Sequence, residues 1–229
     1  DPVTGVQTCA LPILARRTAA LVASWQAVGF VHGVMNTDNM SVLGLTIDYG
    51  PYGWLEDFDP AWTPNTTDAE RRRYRYGNQP SVGLWNVARF GQALLPLLEG
   101  EAAVEQGLDE YRRTFEAELL RRFAAKLGLS SLEGDVDLLQ RCFDWLAAEE
   151  TDMTIFFRAL AQVAAADRPP EAMPQAVRDA FYGEVPAAHE AAGVAWLRDL
   201  WHRTRQEGAP AEVVARMNGA NPRYVLRNW

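Results

Sequence analysis

With 229 residues, 48% of them hydrophobic, the chain is long enough to bury a substantial core as one large domain or two small ones. Its net charge of −8, from 30 acidic and 22 basic side chains, argues against non-specific nucleic-acid binding. No apolar run approaches the roughly 18 residues of a membrane-spanning helix. Cys9 and Cys142 make neither a disulfide framework nor a metal-ligand spacing, which sets a reducing compartment as the expectation.

The chain starts at Asp1, and residues 1–13 (DPVTGVQTCALPI) have neither clear periodicity nor the basic start and long apolar centre of a secretory signal. They read as foreign to the rest of the chain, or as unstructured. Residues 14–229 read as one helical lobe, with the motif-bearing region in 14–98 and a helical region in 99–229. Leu14, Leu21, Val22, Trp25 and Val28 share one helical face, and Gly29 supplies a stop. Phe30-Val31 is too short to assign alone. A polar turn, Asn36 to Asn39, precedes two β-leaning runs, 40–43 and 45–47, around the single Gly44, which suggests a tight hairpin. Residues 48–80 are rich in Gly, Pro, Asp, Asn and aromatics without a sustained period, the mark of a long functional or surface-wrapped loop.

From Ser81 the pattern is helical almost to the end. Val82, Trp85, Arg89, Leu94 and Leu97 recur at helical spacing, with Pro96 set to end that helix. Residues 101–127 have the clearest period, closed by Gly128. Asp135 is placed as the N-cap of a helix burying Val136, Leu139, Phe143 and Leu146. Another helix opens at Thr151 and is broken by Arg168-Pro169-Pro170, and shorter ones cover 174–182, 187–206 and 210–217. The fold class is mostly α with a small β-hairpin.

The stretch Gly29 to Gly50, GFVHGVMNTDNMSVLGLTIDYG, carries the chemistry. Phosphoryl and nucleotidyl transfer from ATP need magnesium, which takes oxygen ligands. Protein kinases supply them from the Asn of H-R-D-L-x-x-x-N and the Asp of D-F-G. His32 to Asn39 has the same seven-residue step, and Asp48-Tyr49-Gly50 stands as the D-F-G equivalent. A hairpin between them would bring Asn39 and Asp48 onto one ion. Val34 occupies the position of the kinase's catalytic Asp, and valine cannot accept a proton; Asp38 is the carboxylate left in the loop. The plainer alternative has Asp38 and Asn39 making turn bonds to the backbone. His32 reads as a buried hydrogen-bonder rather than a base.

The stretch GFVHGVMNTDNMSVLGLTIDYGPYGWLEDFDP, continued by PNTTD, YRYGNQPSVGLWNVARFGQALLPLL and NPRYVLRNW, resembles the selenoprotein O family, also called the YdiU family of protein adenylyltransferases. The resemblance covers most of 14–229. It implies the C-lobe of a protein-kinase-like (pseudokinase) fold, ATP bound in a flipped orientation, and transfer of AMP, in some members UMP, to hydroxyl side chains of proteins. On the matching positions it makes Asp38 the proton acceptor and Asn39 and Asp48 the Mg2+ (or Mn2+) ligands, with Asp48 also at the ATP. Val34 is then the family's own pattern. The glycine-rich loop, the ATP-pairing Lys and its Glu partner are expected upstream, and no lysine precedes Lys126. The family's tail, with its selenocysteine or cysteine, is expected beyond Trp229. The chain therefore reads as a fragment truncated at both ends and inactive alone.

The other features have plainer readings. Arg71, Arg72, Arg73 and Arg75, close to Asp68 and Glu70, read as an exposed basic stretch paired with those acids. The aromatics Tyr49, Tyr52, Trp54, Phe58 and Trp62 read as loop packing, and Asp57 and Asp59 as marginal candidates for outer charge around a metal. Asn65-Thr66-Thr67 fits a glycosylation pattern that a reducing compartment would leave unused. Expected partners are ATP and proteins bearing hydroxyl side chains, with no nucleic acid and no membrane, at a cytoplasmic address. Two alternatives stay open: a catalytically dead pseudokinase acting as a scaffold, and a small-molecule kinase whose H-G-D loop HGV resembles.

Overall fold

The computed structural model describes residues 2–98 and 100–226, with side chains from residue 10 onward. It is mostly helical. In chain order the helices are α1 (Pro2–Val28), α2 (Gln79–Leu94), α3 (Glu101–Lys126), α4 (Val136–Leu146), α5 (Met153–Ala165), α6 (Gln175–Arg178), α7 (Ala187–Thr204) and α8 (Pro210–Ala220). Strand β1 (Phe30–Val31) pairs with β2 (Gly53–Trp54) in a two-stranded sheet. Among the described residues no helix is long and apolar enough to cross a membrane.

The chain forms two compact units, residues 1–53 with 60–119, and residues 54–59 with 120–229. In the first, α1 and α2 bury a shared apolar cluster of Leu11, Leu14, Ala15, Ala19 and Val87, joined by Val104 and Tyr111 of α3. Small residues set the spacing: a Cβ on Gly83 would sit 2.5 Å from the Tyr111 hydroxyl, which donates to the Pro80 carbonyl. In the second unit the core is aromatic, with Phe123 edge-on to Phe143, and Phe143 stacked on Phe58 at 5.4 Å. Segment 54–59 is stitched to the start of α5 by backbone bonds from Phe58 to Thr151 and from Met153 to Glu56.

Several expectations change. The helix expected from residue 14 begins at Pro2 and carries Pro12 within it, so the segment read as unstructured is helical over Pro2–Ile13. The hairpin around Gly44 contracts to one antiparallel bridge, Met40 with Thr46, and the two-stranded sheet lies elsewhere. Val42, Leu43 and Leu45 are exposed, so neither run has a face to bury and pairing does not spread. Asp135 precedes α4 but makes no cap bond; its carboxylate accepts from Arg203 Nε at 2.7 Å. That helix buries Leu138, Leu139, Cys142, Trp145 and Leu146 and leaves Val136 exposed. The helix expected over 174–182 shrinks to Gln175–Arg178. Pro96 does end α2, in a 3-10 turn over Leu95–Leu97, and Gly128 closes α3 with φ +79°.

Candidate functional site

The loop after β1 is an irregular segment, and amide side chains supply partners for its backbone. Gln79, fully buried at the start of α2, donates to the Phe30 carbonyl and accepts from the His32 N–H, both at 2.9 Å. Asn65 donates to the Gly33 carbonyl at 3.0 Å, Asn39 to the Val34 carbonyl at 3.0 Å, and Asn86 of α2 to the Met35 carbonyl at 3.1 Å. Every carbonyl from Gly33 to Met35 is thus held by a side-chain amide. These are neutral bonds, each worth about 1 kcal/mol net, but losing a buried partner costs more than that.

His32 ties this loop to the turn ahead of Asp48. Its Nε2 lies 2.8 Å from the Ile47 carbonyl, and its Nδ1 faces the Val34 N–H at 3.4 Å. Both bonds are satisfied by one tautomer, with the proton on Nε2. Burial holds the imidazole below its usual pKa, opposed by the bond to Ile47 and the charge of Asp48. With both ring nitrogens engaged, His32 clamps the two segments together. Gly33 adds a second lock: at φ +81°, a Cβ there would stand 2.1 Å from the Pro51 carbonyl oxygen. Only glycine lets the loop and the turn approach so closely.

This frame carries the three candidate residues. Asp38 and Asn39 sit in a 3-10 turn, Thr37–Asn39, with Asp38 exposed and Asn39 half-buried. Asp48 is exposed and adopts φ +52°, a left-handed conformation that is uncommon for a non-glycine residue, with its carbonyl accepting from the Gly50 N–H at 2.7 Å. The Met40–Thr46 bridge joins the two arms one residue after Asn39 and two before Asp48. Trp25 of α1 anchors the second arm through Nε1 to Thr46 Oγ1 at 3.0 Å. Among the described residues, neither the Asp38 nor the Asp48 carboxylate has a hydrogen-bond or ion-pair partner; of the turn bonds in the plainer alternative, Asp38 makes none and Asn39 makes one, to the Val34 carbonyl. Asn39 spends its Nδ2 on the loop and keeps its amide oxygen.

The two side chains that the resemblance assigns to a cation, Asn39 with its amide oxygen and Asp48 with its carboxylate, are oxygen donors of the kind a hard divalent cation takes. Among the described residues no group of three or more His, Cys, Asp or Glu side chains could hold a metal. A cation here would lean on one or two protein carboxylates and complete its shell with water or phosphate oxygens, the usual habit of Mg2+. The Asp57 carboxylate, a marginal candidate in the sequence, accepts from the Thr151 N–H at 2.9 Å.

Sequence reasoning singles out Asp38, Asn39 and Asp48 and misses their supports. Gln79 and Asn86 carry a readable signal, as amides on the inward face of an apolar helix. Asn65 stands out in the sequence only as an unused glycosylation pattern.

The family profile described as "Protein adenylyltransferase SelO" matches residues 10–229. The chain is 50% identical over 218 residues to the "Protein nucleotidyltransferase YdiU" of Azoarcus sp. (strain BH72), covering 93% of this chain and 41% of that protein. It is 51% identical over 216 residues to that of Xanthomonas campestris pv. campestris (strain B100), and 50% identical over 240 to that of Nitrosospira multiformis. The chain thus spans about two-fifths of the length of these relatives, 41–42% in each case. With the match running over nearly its whole length, the chain belongs to the protein adenylyltransferase SelO family.

Proposed function

We propose that the chain carries the base-and-metal half of a protein nucleotidyltransferase site, in the C-lobe of a kinase-like fold, and that the reaction moves AMP from ATP to a protein hydroxyl. The observation that carries this reading is the pair of unspent carboxylates, Asp38 and Asp48, presented by a loop whose backbone is pinned by Gln79, Asn65, Asn39 and Asn86. The relatives' names and the family description point to the same reaction class.

In the reaction, the oxygen of a Ser, Thr or Tyr hydroxyl bonds to the α-phosphorus of ATP, the bond to the bridging oxygen breaks, and pyrophosphate leaves. Asp38 accepts the hydroxyl proton, which makes its exposure on the 3-10 turn an asset, since a protein substrate must reach it. Asn39 and Asp48 would hold Mg2+ or Mn2+, whose chemistry when bound is to neutralise charge on the phosphates. Asp48 also faces the nucleotide. The Val34 side chain cannot accept a proton; its N–H and carbonyl serve the His32 and Asn39 bonds that shape the loop.

The test uses the full-length protein with ATP labelled at the α- or the γ-phosphate and a mixture of candidate proteins. Label from the α-position is the expected outcome, lost with Asp48→Ala and lowered about 10²-fold or more with Asp38→Ala. Label from γ alone means a kinase, and no label means a scaffold. Wild-type rates in Asp38→Ala would remove the base assignment even with the reaction intact.

A further inference from the structure

The surface beside the candidate loop carries a second chemistry. In a chain of net charge −8, Arg71, Arg72, Arg73, Arg75 and Arg89 lie in the same compact unit as that loop. The sequence suggests that the basic run pairs with Asp68 and Glu70. The structure does otherwise: the Asp68 carboxylate accepts from the Tyr74 N–H at 2.8 Å, and its carbonyl from the Arg72 N–H. Among the described residues none of the five arginines forms an ion pair. Arg72 and Arg75 donate instead to the carbonyls of Ala61 and Arg72.

Two of the five are arrayed on an aromatic ring. Arg73 lies over the Trp85 ring at 4.8 Å and Arg89 over the same ring at 5.3 Å, while Trp85 itself is 41% exposed. Arg73 also lies 5.7 Å from the Tyr74 ring. A guanidinium stacked on an indole keeps its charge and loses much of its side-chain freedom, so less order remains to be imposed when a carboxylate binds it. The stack is tied to the site at two points. The Tyr74 hydroxyl donates to Asn36 Oδ1, two residues before Asp38. Arg89 lines a cavity of about 250 Å³ together with Thr37, Met40, Val87 and Phe90, and Thr37 is the residue before Asp38. Asn86, only 5% exposed, also lines this cavity, and its Oδ1 has no partner. A buried acceptor left unmatched is unusual and marks a place where a ligand N–H could be taken up.

We propose that the Arg73–Trp85–Arg89 stack and the adjoining cavity form the docking surface for the protein that receives the nucleotide. The surface selects an acidic segment: its carboxylates meet the stacked guanidiniums, and an apolar side chain near the acceptor hydroxyl enters the cavity. This rests on the reading of Asp38 as the proton acceptor, which gives the surface its place beside the reacting hydroxyl. The charge contrast is what chooses the partner. A short acidic peptide can be confined to the local arginines, whereas an extended nucleic acid runs past them over a chain of net charge −8.

The test measures binding apart from catalysis. A fluorescein-labelled peptide of repeated Glu-Leu-Ser-Glu is titrated into the chain, beside matched peptides with Gln or Lys for Glu and an oligo-dT strand. The Glu peptide is expected to bind at least about tenfold more tightly than the Gln peptide, with affinity falling as salt is raised. Arg73→Glu with Arg89→Glu should weaken it about tenfold or more, and Trp85→Ala several-fold; all three side chains lie at the surface, so circular dichroism should be unchanged. Asp48→Ala should leave peptide binding intact while abolishing nucleotidyl transfer in the full-length protein. Equal binding of the Glu and Gln peptides, tighter binding of oligo-dT, or indifference to the double reversal each overturns the proposal. If the Glu peptide binds as expected and no label arrives from α-labelled ATP, the docking surface stands and the transfer reading falls.

Discussion

Lys126 is a charged side chain buried at a cost. It is 3% exposed, its ammonium lies over the Phe157 ring at 4.3 Å, and burial lowers its pKa from 10.5 to about 7. The neighbouring Cys142 thiol is pushed up by burial and drawn partly back by the lysine charge. Below about pH 7 the lysine is protonated in both folded and unfolded chains, and the cost of burying it is felt in full. Between about 7 and 10.5 the unfolded chain holds a proton that the folded one has shed, so stability rises with pH. Above about 9 the unfolded thiol ionises while the folded one does not, which works in the opposite direction. Stability in urea should therefore climb from about pH 7 to about 9 and then level. Lys126→Met should be more stable at pH 7, and its advantage over the wild type should shrink across that window. An advantage independent of pH would mean that the lysine keeps its proton when folded. The sequence shows Lys126 only as the basic last turn of a helix; its burial depends on partners distant in the chain, including Asn221, whose amide bonds the Lys126 carbonyl at 2.9 Å.

Between elements, the sharpest constraint is the join of α2 to the loop after β1. Gln79 does for Phe30 and His32 what a neighbouring strand would do, accepting and donating at strand-like positions. Gln79→Leu preserves much of the volume and removes both bonds, the one to the Phe30 carbonyl and the one from the His32 N–H. A loss of about 2–4 kcal/mol is expected by chemical denaturation, together with loss of nucleotidyl transfer in the full-length protein. Unchanged stability would mean that water enters and replaces the amide. The element scale is also where sequence patterns mislead. Alternating apolar residues around Gly44 look like a hairpin, but a pair of short runs with exposed Val42, Leu43 and Leu45 has no face to bury, and one bridge survives. The helices are more legible, because a long period and a stop such as Gly128 are local signals.

Across the molecule, two cores form from one chain, and segment 54–59 belongs with residues far downstream. Cys142, with no exposed surface, reports on the second core. In a Cys9→Ser variant, labelling by a thiol reagent should be near zero in buffer and complete in denaturant, with a rate set by opening of that unit. Fast labelling in buffer would mean that the aromatic core is looser than its stacked rings imply. Composition determined the class of molecule, helical periodicity determined most of the helices, and the spacing from His32 to Asn39 and on to Asp48 determined where to look for chemistry, because each depends on residues close in sequence. Tertiary structure alone decided which carbonyl and N–H His32 joins, that Gln79, Asn65, Asn39 and Asn86 hold the loop, and that, among the described residues, the Asp38 and Asp48 carboxylates are left unspent and Arg71, Arg72, Arg73 and Arg75 form no ion pair. Those outcomes depend on which distant groups share a buried space, and a chain read one residue after another does not carry that information.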